Sequence, residues 1–517
     1  MIKLRWIFCG ITLFAAGCMV GPDYHAPATA MPVGFVNPSG PPTTQNSTTT
    51  QRPINTVEWW KKFNDPTLDS LVVRAAACNL DLRQAQARLY QARATRGVIG
   101  SAQLPEIDAN GQYARSGAGR GGSATSFGNN GVAITRPASV RQDFYQYGLD
   151  ASWELDVFGG VRRSVEAADA NLIAAVEDRR DVLVTVIAEV AVDYITLRGY
   201  QRQIVIAENN LAAQKRTADV TRRRFGAGFV SRLDVANADA QVYSTEADIP
   251  TLQSSAQQTI YALSILLGRE PAALLSELSA TAPLPLTPPD VPIGLPSELL
   301  RRRPDIRRAE AQLHAATAQI GVATAQLYPQ FNLVGSLDIE ASKLRGLGNW
   351  SNNIWSMGPS ITWPIFAGGR IVANIQVQNA LQQQAFLTYR QTVLTALQEV
   401  EYALVAYSKE QQRRKALIED VAANRQGLDV ATRLYTQGQT DFLNVLNSER
   451  SLFVAETSLA VSDTTIATDL AALYKALGGG WQIEPSPADL PGNQPGATQP
   501  GQATSASAAP AVTRPGA

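Results

Sequence analysis

Cysteine and histidine are scarce in this sequence, whose 517 residues include three cysteines and two histidines. Cys9 falls in an N-terminal segment that has the features of a leader, and the remaining Cys18 and Cys78 are too few for a disulfide framework. His25 and His314 belong to no cluster with the spacing of metal ligands. The sequence therefore predicts neither a disulfide-stabilised domain nor a metal site.

An excess of one charge and long apolar runs are also missing. The 45 basic and 45 acidic residues balance, so there is no electrostatic reason to expect nucleic acid as a partner. Beyond the leader, no stretch approaches the ~18 apolar residues that a membrane-spanning helix needs. Because a chain of this length exceeds one compact core, we expect several regions or an elongated body.

Motifs for catalysis are not evident either. No nucleophile–base pair, paired carboxylates or phosphate-binding loop stands out. Residues 117–122 match GxGxxG formally, but no helix is expected after them and no acidic residue is placed to contact a ribose. We expect a protein that is not an enzyme and that uses no cofactor.

The N-terminus has the pattern of an export signal. Lys3 and Arg5 precede an apolar run at 6–16, and the run ends in Ala-Ala-Gly before Cys18. This ending resembles a bacterial lipoprotein cleavage site, which predicts a signal peptide at 1–17 and fatty-acyl chains such as palmitate on Cys18. An ordinary signal-peptidase site nearby is the alternative. Met19 is not aspartate, so by the same resemblance nothing retains the lipoprotein at the inner membrane.

The chain contains an internal duplication. The helical pattern that runs from Arg303 to Pro329 recurs before Pro105, and the motif at 225–228 recurs at 435–438. These matches place one structural repeat at 61–280 and a second at 297–481, separated by a proline-rich, extended linker at 281–296. We expect a lipidated, extended segment at 18–60 and a disordered tail at 482–517.

Each repeat contains two stretches in which apolar and polar residues alternate. They begin near Glu106 and Tyr145 in the first repeat, and near Phe331 and Trp355 in the second, where the pattern extends to Ile365. A period of two with one apolar face predicts four strands with lipid on one side and water on the other. Polar loops at 116–141 and 341–353 join the pairs.

Four strands leave two open edges, which lipid cannot satisfy, so other copies of the chain must complete a barrel. Two copies give an eight-stranded barrel that its side chains fill, whereas three copies give twelve strands and a conduit. A half-buried sheet in a soluble domain is the alternative, but no partner sheet is available to cover the apolar face. The predicted fold class is a mixed α and β membrane protein, with four transmembrane strands per protomer and a trimeric 12-stranded barrel.

A very long helical stretch follows each strand pair. Residues 162–225 and 370–435 contain almost no helix-breaking residues, turn at glycine-containing bends, and return as 233–267 and 443–477. Such a helix reaches ~95 Å at 1.5 Å per residue. Long helices with narrow apolar stripes are typical of a coiled-coil barrel in which each helix has neighbours on both sides.

Several motifs together resemble the TolC-like outer-membrane efflux proteins, and within them the NodT-type lipoproteins of resistance–nodulation–division pumps. The resemblance covers Cys18 to Trp481 and rests on residues 18–24, Trp59-Trp60, Asp65-Pro66, 295–300, 303–306 and 474–481. It implies a homotrimer in the outer membrane of a Gram-negative bacterium, with a 12-stranded barrel and an α-helical barrel in the periplasm. It also implies a periplasmic adaptor (membrane fusion) protein and an inner-membrane resistance–nodulation–division pump as partners.

The resemblance also implies roles for residues at the ends of the helical hairpins. The hairpin tips, with Phe225 and Gly228 in the first and Tyr435 and Gly438 in the second, would contact the adaptor. A further set would narrow the periplasmic end as a gate: Leu443, Asn447 and the repeat-related Asn237. Asn447 stands where relatives often carry aspartate, which puts an acidic gate ring in doubt.

Three functions remain open from the sequence. A passive channel for small molecules, such as drugs or aromatic compounds, is the leading hypothesis. A duct of the same fold in a protein secretion system is the alternative, because the pore does not encode its pump. A trimeric surface adhesin is the third, but it would not need duplicated hairpins that return to one end. The lack of methionine or histidine clusters argues mildly against copper or zinc as the substrate.

Overall fold

The structure is a computed structural model that describes most of the chain. The described residues are 19–29, 31–32, 34–35, 48–50, 57–117, 123–127, 133–137, 141–287, 290–292 and 296–482. The leader at 1–17, Cys18 and the tail beyond Gln482 lie outside them. Within the part of the chain that is described, no helix combines the length and the apolar character needed to cross a bilayer.

Two long helical hairpins and a four-stranded sheet dominate the fold. The helices are α1 (Pro66–Cys78), α2 (Leu80–Ser101), α3 (Gly160–Gly226), α4 (Arg232–Leu266), α5 (Leu275–Leu278), α6 (Pro296–Arg302), α7 (Pro304–Ala325), α8 (Arg370–Thr436) and α9 (Phe442–Ala476). The strands are β1 (Thr48–Thr50), β2 (Glu106–Gly117), β3 (Ser123–Phe127), β4 (Ala133–Pro137), β5 (Arg141–Leu155), β6 (Asp290–Pro292), β7 (Gln330–Ala341) and β8 (Asn353–Thr362). At 1.5 Å per residue, the 67 residues of α3 or α8 extend ~100 Å.

The duplication is confirmed in the helix and strand bounds. Helix α2 is as long as α7, α3 is as long as α8, and α4 is as long as α9. The two repeats differ in length mainly between their paired strands, because the connection from β2 to β5 is longer than that from β7 to β8. The sequence predicts only an irregular loop there. That prediction was wrong in one respect, because the longer connection contains the antiparallel pair of β3 and β4.

The four-stranded sheet has the order β2-β5-β7-β8 with every pair antiparallel. The two repeats meet at the β5–β7 pair, and β2 and β8 stand at the edges. Strand β8 ends at Thr362, so the prediction that the strand continues to Ile365 was wrong. Thr362 pairs with Gln330, the first residue of β7, so β8 has no partner strand beyond it.

Glycines fix the turns at both ends of the long helices. Gly159 and Gly369 precede α3 and α8 with φ angles of 80° and 81°, and Gly228 and Gly438 follow them with φ angles of 80° and 74°. Side chains rarely adopt these left-handed angles, so glycine is the residue that allows such sharp ends. The chain turns at the same points in both repeats, which keeps the two hairpins equal in length.

A core rich in aromatic residues lies in the middle of the helical body. Trp59 and Trp60 are fully buried, and Trp59 stacks on Tyr474 of α9 with ring centroids 5.2 Å apart. These tryptophans lie in a 3-10 helix, Trp59–Phe63, so the prediction that residues 18–60 are extended was wrong at its C-terminal end. Each buried aromatic side chain contributes about 1.5–3 kcal/mol, which ties the N-terminal segment firmly to the helices.

The proline-rich linker is more structured than the sequence predicts. Its residues Asp290–Pro292 form β6, which pairs in parallel with β1, and α6 already begins at Pro296. A segment of three residues has too short a pattern to show the period of a strand, which is why sequence reasoning missed this pair.

Candidate functional site

The sheet has one apolar face that no part of the described chain covers. Leu149 of β5 stands opposite Leu337 of β7, and Leu337 stands opposite Trp355 of β8. All three side chains are exposed, Leu149 by 49% and Trp355 by 71%. Apolar side chains that are exposed in register on neighbouring strands form a continuous patch, and a patch of this kind marks a surface for lipid or for another protein.

The opposite face of the sheet is acidic. Six carboxylates alternate with the apolar residues along β2, β5 and β7: Glu106, Asp108, Asp150, Glu154, Asp338 and Glu340. No lysine or arginine occupies this face of the four described strands. The side-chain amide of Asn110 donates a 2.5 Å hydrogen bond to Asp150. This face is therefore hydrated and negatively charged.

A glycine makes room for one of these carboxylates. Gly148 pairs with Asp338 across the β5–β7 seam, and a Cβ atom on Gly148 would lie 2.1 Å from Oδ1 of Asp338. Any larger residue would push the carboxylate away from the sheet. The glycine thus keeps the aspartate close to the seam between the two repeats.

Two tryptophans mark the boundary between the sheet and the helices. The indole of Trp153 donates a 3.1 Å hydrogen bond to the carbonyl of Gln103, and that of Trp363 donates a 3.0 Å bond to the carbonyl of Leu327. Trp153 and Trp363 occupy equivalent positions in the two repeats, and so do Gln103 and Leu327. Each strand pair therefore ends in the same tryptophan–carbonyl hydrogen bond. Tryptophans in this position are typical of a membrane–water boundary.

The segment after Cys18 is bound at the same boundary. Arg163, at the start of α3, is only 1% exposed and donates 3.2 and 3.3 Å hydrogen bonds to the carbonyls of Val20 and Gly21. Its guanidinium also forms ion pairs with Asp23 at 2.6 Å and Glu166 at 2.7 Å. A buried arginine whose donors are engaged in this way fixes the segment that leads away from the lipidation residue predicted from the sequence.

His314 completes this binding of the N-terminal segment. Its Nε2 atom lies 2.9 Å from Oε1 of Glu166, and its ring stacks on Tyr24 at 4.3 Å. Tyr24 donates a 3.3 Å bond to Glu310, and burial is the main cause of a raised pKa for its hydroxyl. The motif at 18–24 marks the N-terminal segment in the sequence. The residues on α3 and α7 that bind this segment cannot be predicted from residue spacing.

The two hairpins meet at their distal ends, far from the sheet. Tyr435 is only 3% exposed, and it packs on Phe442 with ring centroids 5.7 Å apart. Arg224 of the first hairpin lies over the Tyr435 ring at 4.5 Å and donates a hydrogen bond to its carbonyl oxygen. Tyr435 therefore supports the distal end from inside, and its side chain is not available for the adaptor contact expected from the sequence.

The other residues expected at the tips are on the surface. Phe225 is 43% exposed, and Gly228 and Gly438 form the outermost turns. Of the expected gate residues, Leu443 and Asn447 are exposed one helical turn apart on α9, whereas Asn237 of α4 is half-buried. A single chain leaves Leu443 and Asn447 uncovered, and their role at a constriction remains a prediction.

Four carboxyl groups in the long helices have raised pKa values: Asp181, Asp193, Glu449 and Asp469. Burial and the nearby Glu189 raise the pKa of Asp193 to about 6, and burial and Glu410 raise that of Asp469 to about 6. Burial also raises the pKa of Glu449, although a hydrogen bond from a threonine acts in the opposite direction. These helices therefore contain acidic groups that titrate closer to neutral pH than free carboxylates do.

The chain is similar to known outer-membrane proteins over nearly its whole length. The family model of outer membrane efflux proteins matches residues 71–269 and 295–479. Nodulation protein T of Rhizobium leguminosarum bv. trifolii is 32% identical over 476 residues, covering 91% of this chain and 96% of that protein. The pyoverdine export outer membrane protein OpmQ of Pseudomonas aeruginosa is 33% identical over 428 residues, with 83% and 88% covered.

A solved structure has the same fold. The outer-membrane channel OprN superimposes with a TM-score of 0.81 at 37% sequence identity, covering 90% of this chain and all of that one. The described geometry and these similarities agree on an elongated duct with a strand end and a helical end.

Proposed function

This chain belongs to the outer membrane efflux protein family, and from that membership we propose that it is the outer-membrane channel of a tripartite efflux pump. It lies in the outer membrane of a Gram-negative bacterium and extends into the periplasm. The observation that carries the proposal is the four-stranded sheet, which is apolar on one face, acidic on the other and continuous with ~100 Å helices. Such a sheet fits a barrel wall that has lipid on its outer, apolar face and water on its inner, acidic face.

The open edges support a homotrimer. Within one chain, the second strand of the first repeat pairs with the first strand of the second repeat, for example Leu149 with Leu337. In the duplicated repeats, β8 corresponds to β5 and β2 corresponds to β7. The β5–β7 pairing therefore predicts that β8 pairs in the same way with β2 of a neighbouring copy. Ile361 then stands opposite Gly111, and Ser360 opposite Gln112. This register keeps apolar residues on the outside along the whole seam, and three copies give twelve strands with no open edge.

The helices support the same assembly. Helix α8 carries an exposed apolar series, whereas its repeat equivalent α3 packs against α7 in the same chain. The series is Val372, Val377, Leu381, Leu387 and Leu394. Since α2 is the repeat equivalent of α7, we propose that α8 packs against the α2 helix of the neighbouring protomer.

A disulfide experiment tests the register of the seam. In a Cys78→Ser background, Ser360→Cys with Gln112→Cys places two cysteines directly opposite each other, at a separation of about 4.5–5.5 Å between Cα atoms. We expect oxidation to give covalent trimers on a denaturing gel. The matched control pairs Ser360→Cys with Ala114→Cys, two residues away on the same face. Equal cross-linking of the control, or only monomers in both, would contradict this assembly.

We further propose that Cys18 is acylated and is the first residue of the mature chain. The binding of Val20, Gly21 and Asp23 by Arg163 supports this, because it holds the adjoining segment at the level of the boundary tryptophans. Intact-mass measurement of the purified protein, compared with Cys18→Ser, tests it. An unmodified Cys18 in the mature wild-type protein would overturn it.

The partners in this proposal are a periplasmic adaptor protein and an inner-membrane pump of the resistance–nodulation–division type, and the substrates are small molecules such as drugs or aromatic compounds. The channel itself is passive and makes or breaks no bonds. Among the relatives, one is named for pyoverdine export and another for toluene efflux, and these names favour efflux over protein secretion.

A deletion strain tests the function. We expect it to become more susceptible to drugs and aromatic solvents, with recovery on complementation by the wild-type chain but not by a truncated chain that lacks the second repeat. Susceptibility to copper and zinc salts is the control for metal export. Unchanged susceptibility together with loss of a secreted protein from the medium would overturn the proposal in favour of a secretion duct.

A further inference from the structure

The two hairpins end in loops with the same backbone form. Gly228 and Gly438 both adopt left-handed φ angles. The next amides, of Phe229 and Gln439, each close the turn with a 2.9 Å hydrogen bond to the carbonyl five residues earlier. The two loops are therefore equivalent in the backbone, and any difference in what they bind comes from their side chains.

The first loop carries an aromatic side chain where the second carries an amide. Phe229 is 76% exposed in the chain, although it lies far from the apolar face of the sheet. Its repeat equivalent is Gln439, which is exposed and polar. An exposed phenylalanine at the end of a polar hairpin is typical of an anchor that enters an apolar depression on a partner.

The first loop also carries two unpaired arginines. Arg223 and Arg232 are exposed, and neither forms an ion pair with another described residue. Their neighbour Arg222, by contrast, is bridged to both Asp219 and Asp239. Two free guanidinium groups at the same end of the hairpin as Phe229 favour carboxylates, which arginine binds through paired hydrogen bonds.

The second loop lacks this chemistry. The repeat equivalent of Arg232 is Phe442, which is buried in the contact with the first hairpin. The repeat equivalent of Arg223 is Arg433, which forms an ion pair with Asp429. The second loop, as described, therefore presents amides, hydroxyls and the exposed carboxylate of Asp441, without a free cation.

We propose that the arginine–phenylalanine tip, defined as Arg223, Phe229 and Arg232, is the part of the distal end that selects the periplasmic partner. The partner's docking end presents carboxylates around an apolar depression, which receives Phe229 while the carboxylates bind the two arginines. The second loop, whose amides and hydroxyls adjoin the carboxylate of Asp441, offers no cation to these carboxylates. This inference rests on the proposed function, because it assumes that an adaptor docks at the distal end.

A binding experiment with matched variants tests this. The probe is the purified adaptor protein encoded with the inner-membrane pump, and the full-length channel in detergent is immobilised. Phe229→Gln introduces the residue that the second loop already carries in the same backbone form, so it should fold normally. Arg232→Gln removes one free charge. We expect each to weaken adaptor binding about tenfold or more, and the effect of Arg232→Gln to shrink as salt rises.

Two controls separate the tip from general effects. Gln439→Ala changes the equivalent position of the second loop, and Arg216→Gln removes an exposed arginine on α3 away from the tip. We expect both to change the dissociation constant by less than about twofold. A charge exchange completes the test: Arg232→Glu should bind an adaptor with a lysine in place of its docking carboxylate better than it binds the unmodified adaptor.

Two results would overturn the inference while leaving the proposed function intact. The first is that Phe229→Gln and Arg232→Gln bind the adaptor as tightly as the wild type does. The second is that Gln439→Ala loses as much affinity for the adaptor as Phe229→Gln does. A wild-type channel that does not bind the adaptor at all would contradict the proposed function itself, and this inference with it.

Discussion

The hydroxyl of Thr217 in the first hairpin donates a 2.7 Å hydrogen bond to Oε1 of Glu449 in the second. Glu449 is only 7% exposed, and burial raises the pKa of its carboxyl although the bond from Thr217 lowers it. The two hairpins of one protomer are thus joined near their distal ends by a buried acidic group. Its protonation state should influence how firmly they hold together.

The first prediction concerns this carboxyl. A folded-state pKa above the unfolded value of ~4.3 means that the stabilising contribution is complete below that pH and is lost as the pH rises through the folded pKa. At neutral pH the ionised group therefore costs stability. Glu449→Gln should raise the melting temperature at pH 7.5 and should make little difference at pH 4. Thr217→Val should lower it at both pH values, and a lower melting temperature for Glu449→Gln at pH 7.5 would refute this.

The second prediction concerns Asp193 and Asp469, whose pKa values are both about 6. Their contribution to folding is complete below pH ~4 and is lost as the pH rises through 6. Asp193→Asn and Asp469→Asn should each stabilise the protein by on the order of 1 kcal/mol at pH 7.5, a value reduced because both carboxyls are partly screened by solvent. Thermal unfolding at pH 7.5 and pH 5 measures this. Equal effects at the two pH values would show that charge is not the cause.

The third prediction separates the two faces of the sheet. Leu149→Arg places a cation on the face assigned to lipid and should cost ~2–4 kcal/mol per protomer, so the yield of membrane-inserted trimer should fall sharply. Ser152→Arg places the same side chain on the acidic face of the same strand and should be tolerated. Heat-modifiability on a gel and membrane fractionation report insertion. Similar yields for the two variants would mean that the faces are assigned wrongly.

The fourth prediction concerns the distal opening. Threefold symmetry would bring three copies of Asn447 together, with Leu443 one turn away on the same face of α9. Asn447→Asp adds a ring of like charges, so it should increase cation selectivity and sensitivity to divalent ions in planar bilayers. Leu443→Ala should raise resting conductance because it removes packing at the opening. If conductance, selectivity and block all match the wild type, these residues do not line a constriction.

The long helices could be predicted from the sequence almost to the residue. Residues 162–225 and 370–435 are predicted, and the helices span Gly160–Gly226 and Arg370–Thr436. This succeeds because neither helix contains proline, the interior glycines Gly199 and Gly427 stand alone, and the glycine-containing bends lie at the turns. The strands could be predicted because alternation of apolar and polar residues over eight or more positions does not fit a helix.

The contacts that position the ends of the molecule could not be predicted. Arg163 and His314 bind the N-terminal segment from helices that are distant from it in the sequence, and nothing in their local sequence marks them as partners. The burial of Tyr435 depends on a neighbouring hairpin whose rotation is not encoded by either helix alone. Such contacts follow from tertiary packing, which local periodicity does not determine.

The equal length of the paired helices restricts how this protein can diverge. One residue inserted into α3 alone would advance its tip by about 1.5 Å and rotate it by about 100°, which would carry Arg224 away from Tyr435. Each tolerated insertion in one hairpin therefore requires a matching insertion in the returning helix and in the other repeat. Between β2 and β5, the described strands β3 and β4 pair with each other, and the difference in length between the repeats lies in this segment. Natural variants should differ in length chiefly in this segment, and if it lies outside the cell as the proposed topology requires, antibodies or phages that distinguish strains should bind there.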